Sequence, residues 1–215
     1  MQNELDFLET LFTPLVSDVM DSLGITGQVL PYTIQSIFPD PNLKVAGYAF
    51  GCHVVPTDEY VEIHKLLEMV DAIEKDSFVV VASDSPIDAA LWGGLMSTRA
   101  KVKGARGAAV TGGVRDIEQI QGLAFPVFGE YRCVKDIRRR GYMVEYNTTI
   151  TIGETVINSK DIVFADANGI VVIPHSNKEK ILQAVVLRIK GEEGTSEGLL
   201  LGKSAQELFG EFETF

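Results

Sequence analysis

The chain has 215 residues, 46% hydrophobic and 23% charged, with 19 Lys and Arg against 30 Asp and Glu and a formal net charge of −11. That length and composition suit an ordinary globular chain able to bury a core without covalent staples. The acidic balance argues against a nucleic-acid or anionic-membrane surface, which needs a basic face. Two distant cysteines, Cys52 and Cys133, argue against a disulfide framework or a Cys-rich zinc site.

The first residues carry early acids and no long apolar run, so neither a signal peptide nor a membrane span is expected, and the expected compartment is the cytoplasm. Length predicts one domain over residues 1–215. Leu5, Leu8 and Leu11 recur at helical spacing behind a capping Asn3. Thr13-Pro14 reads as an N-cap and first helical position, with Leu15, Val19, Met20 and Leu23 on one face and Gly24 as the stop. Residues 25–46 hold Gly27, Pro31, Pro39 and Pro41 and read as loop. Residues 46–55 read as a strand, and Tyr60, Ile63, Leu67 and Val70 as a helical stripe.

Residues 78–82 are an unbroken apolar run, as in a strand buried on both faces. Ser85-Pro86-Ile87-Asp88 predicts a helix start, with the helix running to Lys103 and Gly104 as its C-cap. Strands over 107–111 and 125–128 flank a helical turn at 116–121, so right-handed parallel crossovers are expected. Short strands at 148–152, 161–165 and 170–173 predict a partly antiparallel end. Ser176 reads as the cap of a long helix carrying Ile181, Val185, Arg188 and Ile189. Ser204 and Glu207 form a capping box before Leu208 and Phe209.

Two glycine turns are candidates for chemistry. In Trp92-Gly93-Gly94-Leu95-Met96 a loop meets a helix, where free amides favour an anion; the alternative is a plain turn. In Thr111-Gly112-Gly113-Val114-Arg115-Asp116 a strand ends, Arg115 suits a carboxylate and Asp116 suits a hard divalent cation. The alternatives there are a surface ion pair or an Asp cap. Both turns flank one crossover unit, which places them at one end of the sheet. The phosphate-loop and dinucleotide fingerprints are absent. His53 and His64 read as packed residues, Trp92 as a pocket wall or core filler, and Arg138-Arg139-Arg140 as a solvated face or inter-subunit pair. With few His and Cys, any metal falls to carboxylates and water, favouring Mg²⁺ or Mn²⁺.

These residues resemble the RraA-like family of class II 4-hydroxy-4-methyl-2-oxoglutarate aldolases and regulators of ribonuclease E activity. The resemblance runs from Val16-Ser17-Asp18-Val19-Met20-Asp21 through both glycine turns to Phe164-Ala165-Asp166-Ala167-Asn168-Gly169 and the segment from Gly202 to Phe209. It implies an α/β fold, a swivelling β/β/α domain with a mixed sheet and helical ends, assembled as a homotrimer or a hexamer of trimers. It implies a small 2-oxo acid substrate, with Arg115 and the amides at Gly93, Gly94, Leu95 and Met96 holding it. Arg115 and Asp116 would be the catalytic pair, Asp116 the metal ligand. Family aldolases carry an Asp where this chain has Gly94; Asp84 and Asp88 are possible replacements by proximity in sequence. Glu192, Glu193 and Glu197 are candidates for an acid that reaches a neighbouring site. The implied activity is a metal-dependent carbon–carbon lyase, with oxaloacetate decarboxylation as a related reaction. The alternative is a non-catalytic regulator that keeps the pocket.

Overall fold

The computed structural model describes residues 3–212. α1 (Glu4–Leu8) is capped by Asn3, whose side chain accepts from the Leu5 amide. α2 (Thr13–Ser22) is capped differently from the Thr-Pro expectation. Thr13 does not cap itself: the buried Asp166 carboxylate accepts from its amide at 2.8 Å and from its hydroxyl at 2.7 Å. A buried charge is tolerable there because every bond is made to it, Asn168 included.

After β1 (Gln35–Ser36) come the long β2 (Lys44–Pro56), α3 (His64–Ala72) and β3 (Ser77–Ser83). The predicted helix start at Ser85 is not formed. Residues 89–92 are all buried, and β4 (Ala90–Trp92) pairs with β6 (Gly113–Val114) in their midst. Burial on every side suits an extended chain between layers, whereas a surface helix would turn some of these residues outward. The helix, α4 (Gly94–Lys103), begins only at Gly94 and ends at Gly104 in the left-handed conformation (φ 85°), as expected. β5 (Gly107–Val110) precedes β6, then come α5 (Ile117–Gly122), β7 (Val127–Gly129) and β8 (Tyr131–Arg132). The antiparallel part contains β9 (Gly141–Tyr146), β10 (Ile150–Ile152), β11 (Thr155–Ile157), β12 (Ile162–Asp166) and β13 (Ile170–Ile173). Ser176 lies in a 3₁₀ turn, so the cap of α6 (Lys178–Leu200) is Asn177. The capping box of α7 (Ala205–Phe212) forms, with Ser204 and Glu207 bonding each other's amides at 3.0 and 3.2 Å.

The chain groups into two compact units. The first takes the residues up to Thr13 and Gly27–His175. Among its described residues is an eight-stranded mixed sheet in the order β1-β7-β5-β3-β2-β12-β13, with β9 also on β2. β7, β5, β3 and β2 are mutually parallel, and β12, β13, β1 and β9 pair antiparallel. β3 shows why its run is wholly apolar: Val79 and Val81 enter the core beside α3, α4 and α5, while Phe78, Val80 and Ala82 enter the core beside β10 and β11. The small parallel sheet β4-β6-β8 continues from the carboxyl ends of β3, β5 and β7.

The second unit takes Pro14–Thr26 and the residues from Ser176 onward. Leu15, Val16, Val19 and Met20 of α2 and Ile181 and Val185 of α6 are buried. Gly194 and Gly198, one turn apart on α6, leave room for Phe212 and Leu208 of α7; a Cβ on Gly198 would stand 2.3 Å from Leu208 Cδ2.

Candidate functional site

The small sheet hands the chain to two helices side by side. β4 ends at Trp92, extended Gly93 follows, and α4 starts; β6 ends at Val114, Arg115 and Asp116 follow, and α5 starts. The turns are tied together, since the Arg115 amide donates to the Trp92 carbonyl at 3.0 Å. The Gly94 amide donates to Asp116 Oδ2 at 3.0 Å. Asp116 therefore caps α4 and not its own helix. It does so from a left-handed backbone (φ 57°), a conformation that Asp tolerates better than most residues.

Both glycines stand where the chain passes close to the Asp116 and Gln119 side chains. A Cβ on Gly93 would lie 2.9 Å from Asp116 Oδ2, and one on Gly94 would lie 2.2 Å from Gln119 Oε1 and 3.1 Å from Asp116 Cβ. Gly94 has no left-handed φ, so its backbone sets no bar to a side chain, and the tightest contact there is with the tip of the exposed Gln119 side chain. The backbone approaches Asp116 and Gln119 here, a role that the glycine pair alone did not disclose.

Gly93, Leu95, Met96, Arg115 and Asp116 line one cleft of about 280 Å³. Gly94 sits behind its mouth on the Asp116 carboxylate. The Leu95 and Met96 amides lie in the first turn of α4, where a helix offers no internal acceptor. Arg115 Nε is 3.7 Å from Asp116 Oδ2, both side chains about two-fifths exposed. Among the described residues no hydrogen bond engages the terminal nitrogens of Arg115 or Asp116 Oδ1, so both remain available to a ligand.

Three further charged residues line the cleft: Arg99, Asp136 and Arg138. Arg99 Nε bonds Asp71 at 2.8 Å, and Arg138 bonds Asp136 at 3.1–3.2 Å. Partial burial pushes the Asp136 carboxyl up. The Arg138 amide and the charges of Arg138 and Arg115 outweigh that and hold it below the usual carboxylate range. Of the arginine run, Arg139 and Arg140 are exposed, as a solvated face requires, but Arg138 lines the cleft, and nothing in its local spacing signals this. Asp136 has no sequence signal either.

The other candidates lie elsewhere. Asp84 pairs with His53 at 2.9 Å and Asp88 pairs with Lys135; neither lines the cleft. His53 is thus half-buried beside an acid and is not a packed core residue. Trp92 is buried, stacks on Phe125 and donates to Ser97 Oγ at 2.7 Å. In the second unit, Glu192 faces Arg188 at 3.7 Å, and Glu193 and Glu197 are exposed on α6.

Among the described residues, no three His, Cys, Asp or Glu side chains gather as a ready metal cage. One free carboxylate oxygen fits a hard divalent cation that draws most of its ligands from water and substrate, as Mg²⁺ and Mn²⁺ do, while the first-turn amides suit an anionic substrate and not the cation itself. It does not fit zinc in a closed N/S site. Also among the described residues, no helix is long and apolar enough to cross a membrane.

Comparison with known proteins agrees with this architecture. Protein DlpA of Legionella pneumophila is 29% identical over 211 residues, which is 96% of this chain but 33% of DlpA. The chain thus spans about a third of that relative. A Halalkalibacterium halodurans protein, provisionally named a 4-hydroxy-4-methyl-2-oxoglutarate aldolase, is 27% identical over 85% of this chain and 83% of its own. The crystal structure of Streptomyces coelicolor RraAS2, described as an unusual member of the RNase ES inhibitor RraA protein family, superposes with a TM-score of 0.79. It shares 21% identity over 86% of this chain and 92% of that one, a likeness of fold. The family profile RraA-like, Aldolase/RraA, matches residues 13–172, and the chain belongs to the RraA-like family.

Proposed function

We propose that the protein is a divalent-metal-dependent carbon–carbon lyase acting on a small 2-oxo acid, of the 4-hydroxy-4-methyl-2-oxoglutarate aldolase kind and able to decarboxylate oxaloacetate. One observation carries the reading: Arg115, Asp116, Leu95 and Met96 line one cleft, and the Leu95 and Met96 amides belong to the first turn of α4. Arg115 suits the carboxylate and keto oxygen of the substrate, and the first-turn amides favour the same anion. Asp116 would hold Mg²⁺ or Mn²⁺, which supplies Lewis acidity for the negative charge that builds on the 2-oxo group.

Retro-aldol cleavage breaks C3–C4 of a 4-hydroxy-2-oxo acid. The C4 hydroxyl loses its proton and becomes a carbonyl, and the electron pair stays on the three-carbon fragment. C3 then gains a proton to give pyruvate. Gly94 has no group for either proton. Asp136 is a weak base, because its arginine neighbours favour the ionised form. Water is left to carry the protons, and the expected turnover is slow, since a missing acid–base group commonly costs about 10²–10⁴-fold.

Pyruvate release from 4-hydroxy-2-oxo acids and oxaloacetate, with Mg²⁺ or Mn²⁺ and with EDTA, tests the reading. Metal-stimulated release that falls with Arg115→Ala supports it; release no faster than without protein overturns it. Gly94, in place of the family Asp, favours a second reading: a non-catalytic regulator or binding protein of the ribonuclease E inhibitor type. The likeness in fold to RraAS2 is compatible with that reading.

Assembly as a homotrimer or a hexamer of trimers belongs to the same proposal. Leu200 and Leu201 are 86% and 84% exposed, surface that a second subunit would cover. Light scattering at micromolar concentration is expected to give a trimer or hexamer mass, and a monomer mass would refute it.

A further inference from the structure

Arg115 suits one carboxylate of a 2-oxo acid, and the substrates of the proposed reaction carry two. Two more guanidiniums line the cleft, Arg99 and Arg138. Arg138 is fully engaged: Nε and Nη2 lie 3.2 and 3.1 Å from Asp136 Oδ2, and Nη1 donates to the Tyr60 hydroxyl at 3.5 Å. Arg99 is not. It donates to Asp71 through Nε alone, at 2.8 Å, and among the described residues no hydrogen bond engages its terminal nitrogens. Asp71 belongs to α3 and does not line the cleft; its side chain is 65% exposed, so solvent screens its charge. A guanidinium held at Nε keeps its Nη1–Nη2 edge, which matches the two oxygens of a carboxylate.

Leu95, Met96 and Arg99 fall at i, i+1 and i+4 on α4 and line the same cleft. Arg99 therefore stands one turn beyond Leu95, about 6 Å along the helix axis. The carboxylate carbons of a five-carbon 2-oxo diacid are four C–C bonds of about 1.5 Å apart, a span of about 5 Å. No lysine lines the cleft among the described residues, and Asp116 and Asp136 would repel a second carboxylate. We propose that Arg99 is the specificity-determining residue of the site. Its Nη1–Nη2 edge takes the second carboxylate of a 2-oxo diacid whose head lies at Arg115 and the first turn of α4. The assignment rests on the proposed function and says how the site tells a diacid from a monoacid.

Binding tests this without turnover. 2-Oxoglutarate is a diacid with no 4-hydroxyl, and 2-oxopentanoate is the same chain with a methyl in place of the second carboxylate. Both are titrated into the full chain with Mg²⁺ by calorimetry. Wild type is expected to bind 2-oxoglutarate more tightly. Arg99→Met keeps an unbranched stem and a good helix former at this half-exposed position but removes the charge. It should shrink the ratio of the two Kd values about tenfold, the equivalent of ~1.4 kcal/mol. Arg99→Lys keeps the charge without the fork and should recover part of that ratio. A merely structural role for Arg99 would weaken both acids alike. An unchanged ratio in Arg99→Met, or wild type that binds the monoacid as tightly as the diacid, overturns the inference and leaves the oxo-acid reading standing. Failure of both acids to bind wild type overturns both.

Discussion

Asp116 does two things that separate substitutions can pull apart. Its Oδ2 caps α4 through the Gly94 amide at 3.0 Å, and its backbone is left-handed at φ 57°. Asp116→Ala loses both. A lost cap costs about 1 kcal/mol, and alanine at a left-handed position costs roughly another 1 kcal/mol. The sum of about 2 kcal/mol corresponds to a Tm lower by about 4–8 °C in a chain of this size. A freely exposed site carboxylate would leave stability unchanged, so the cap makes Ala a poor probe of function. Asp116→Asn keeps an amide oxygen for Gly94 and tolerates the left-handed backbone. It loses only the charge at the helix start, about 0.5 kcal/mol. Thermal unfolding of both variants, alongside metal-stimulated pyruvate release, is the assay. The expected result is a near-native Tm with abolished metal stimulation for Asn, and a clear Tm loss for Ala. Equal Tm loss in both would refute the capping argument. Full metal-stimulated activity in Asn would refute the role of the carboxylate charge.

Restoring the family carboxylate by Gly94→Asp should raise pyruvate release, with the exposed Gln119 side chain swinging its Oε1 away from the new Cβ that it would otherwise meet at 2.2 Å; no gain in a correctly folded variant would show that the missing carboxylate does not limit turnover. Gly198→Ala should lower stability by ~1–3 kcal/mol despite alanine's better helix propensity, because its Cβ would meet Leu208 at 2.3 Å; an unchanged denaturation midpoint would contradict that packing. Asp136 has a folded pKa depressed below its unfolded value, so it stabilises the fold above the unfolded pKa and loses this as pH falls through the folded one. The Tm gap between wild type and Asp136→Asn should be open near neutral pH and narrow as the carboxylate is protonated in acid; a gap independent of pH would rule out the charge as its source.

Much of this was written in local chemistry. The run at 78–82 announced a strand buried on both faces, Asn3 and the Ser204–Glu207 pair announced helix starts, and Gly104 announced a stop. Such signals act over a few residues, so they are legible without the fold, as are the parallel middle and antiparallel end of the sheet. The two glycine turns were also legible, because one crossover unit must bring them to one sheet end. What each turn does there was decided only by tertiary structure. Ser85-Pro86 has the chemistry of a helix start, yet burial on all sides and pairing with β6 hold residues 90–92 extended. Thr13 has the chemistry of a cap, yet Asp166 from the far end of the unit performs it. Asp116 caps the helix next door, and Arg138 and Asp136 enter a cleft that no local spacing foretold. The physical reason is common to all four. Hydrogen bonds, ion pairs and burial between residues far apart in sequence outweigh a local propensity of about 1 kcal/mol or less, and they exist only once the sheet has set the chain's segments side by side.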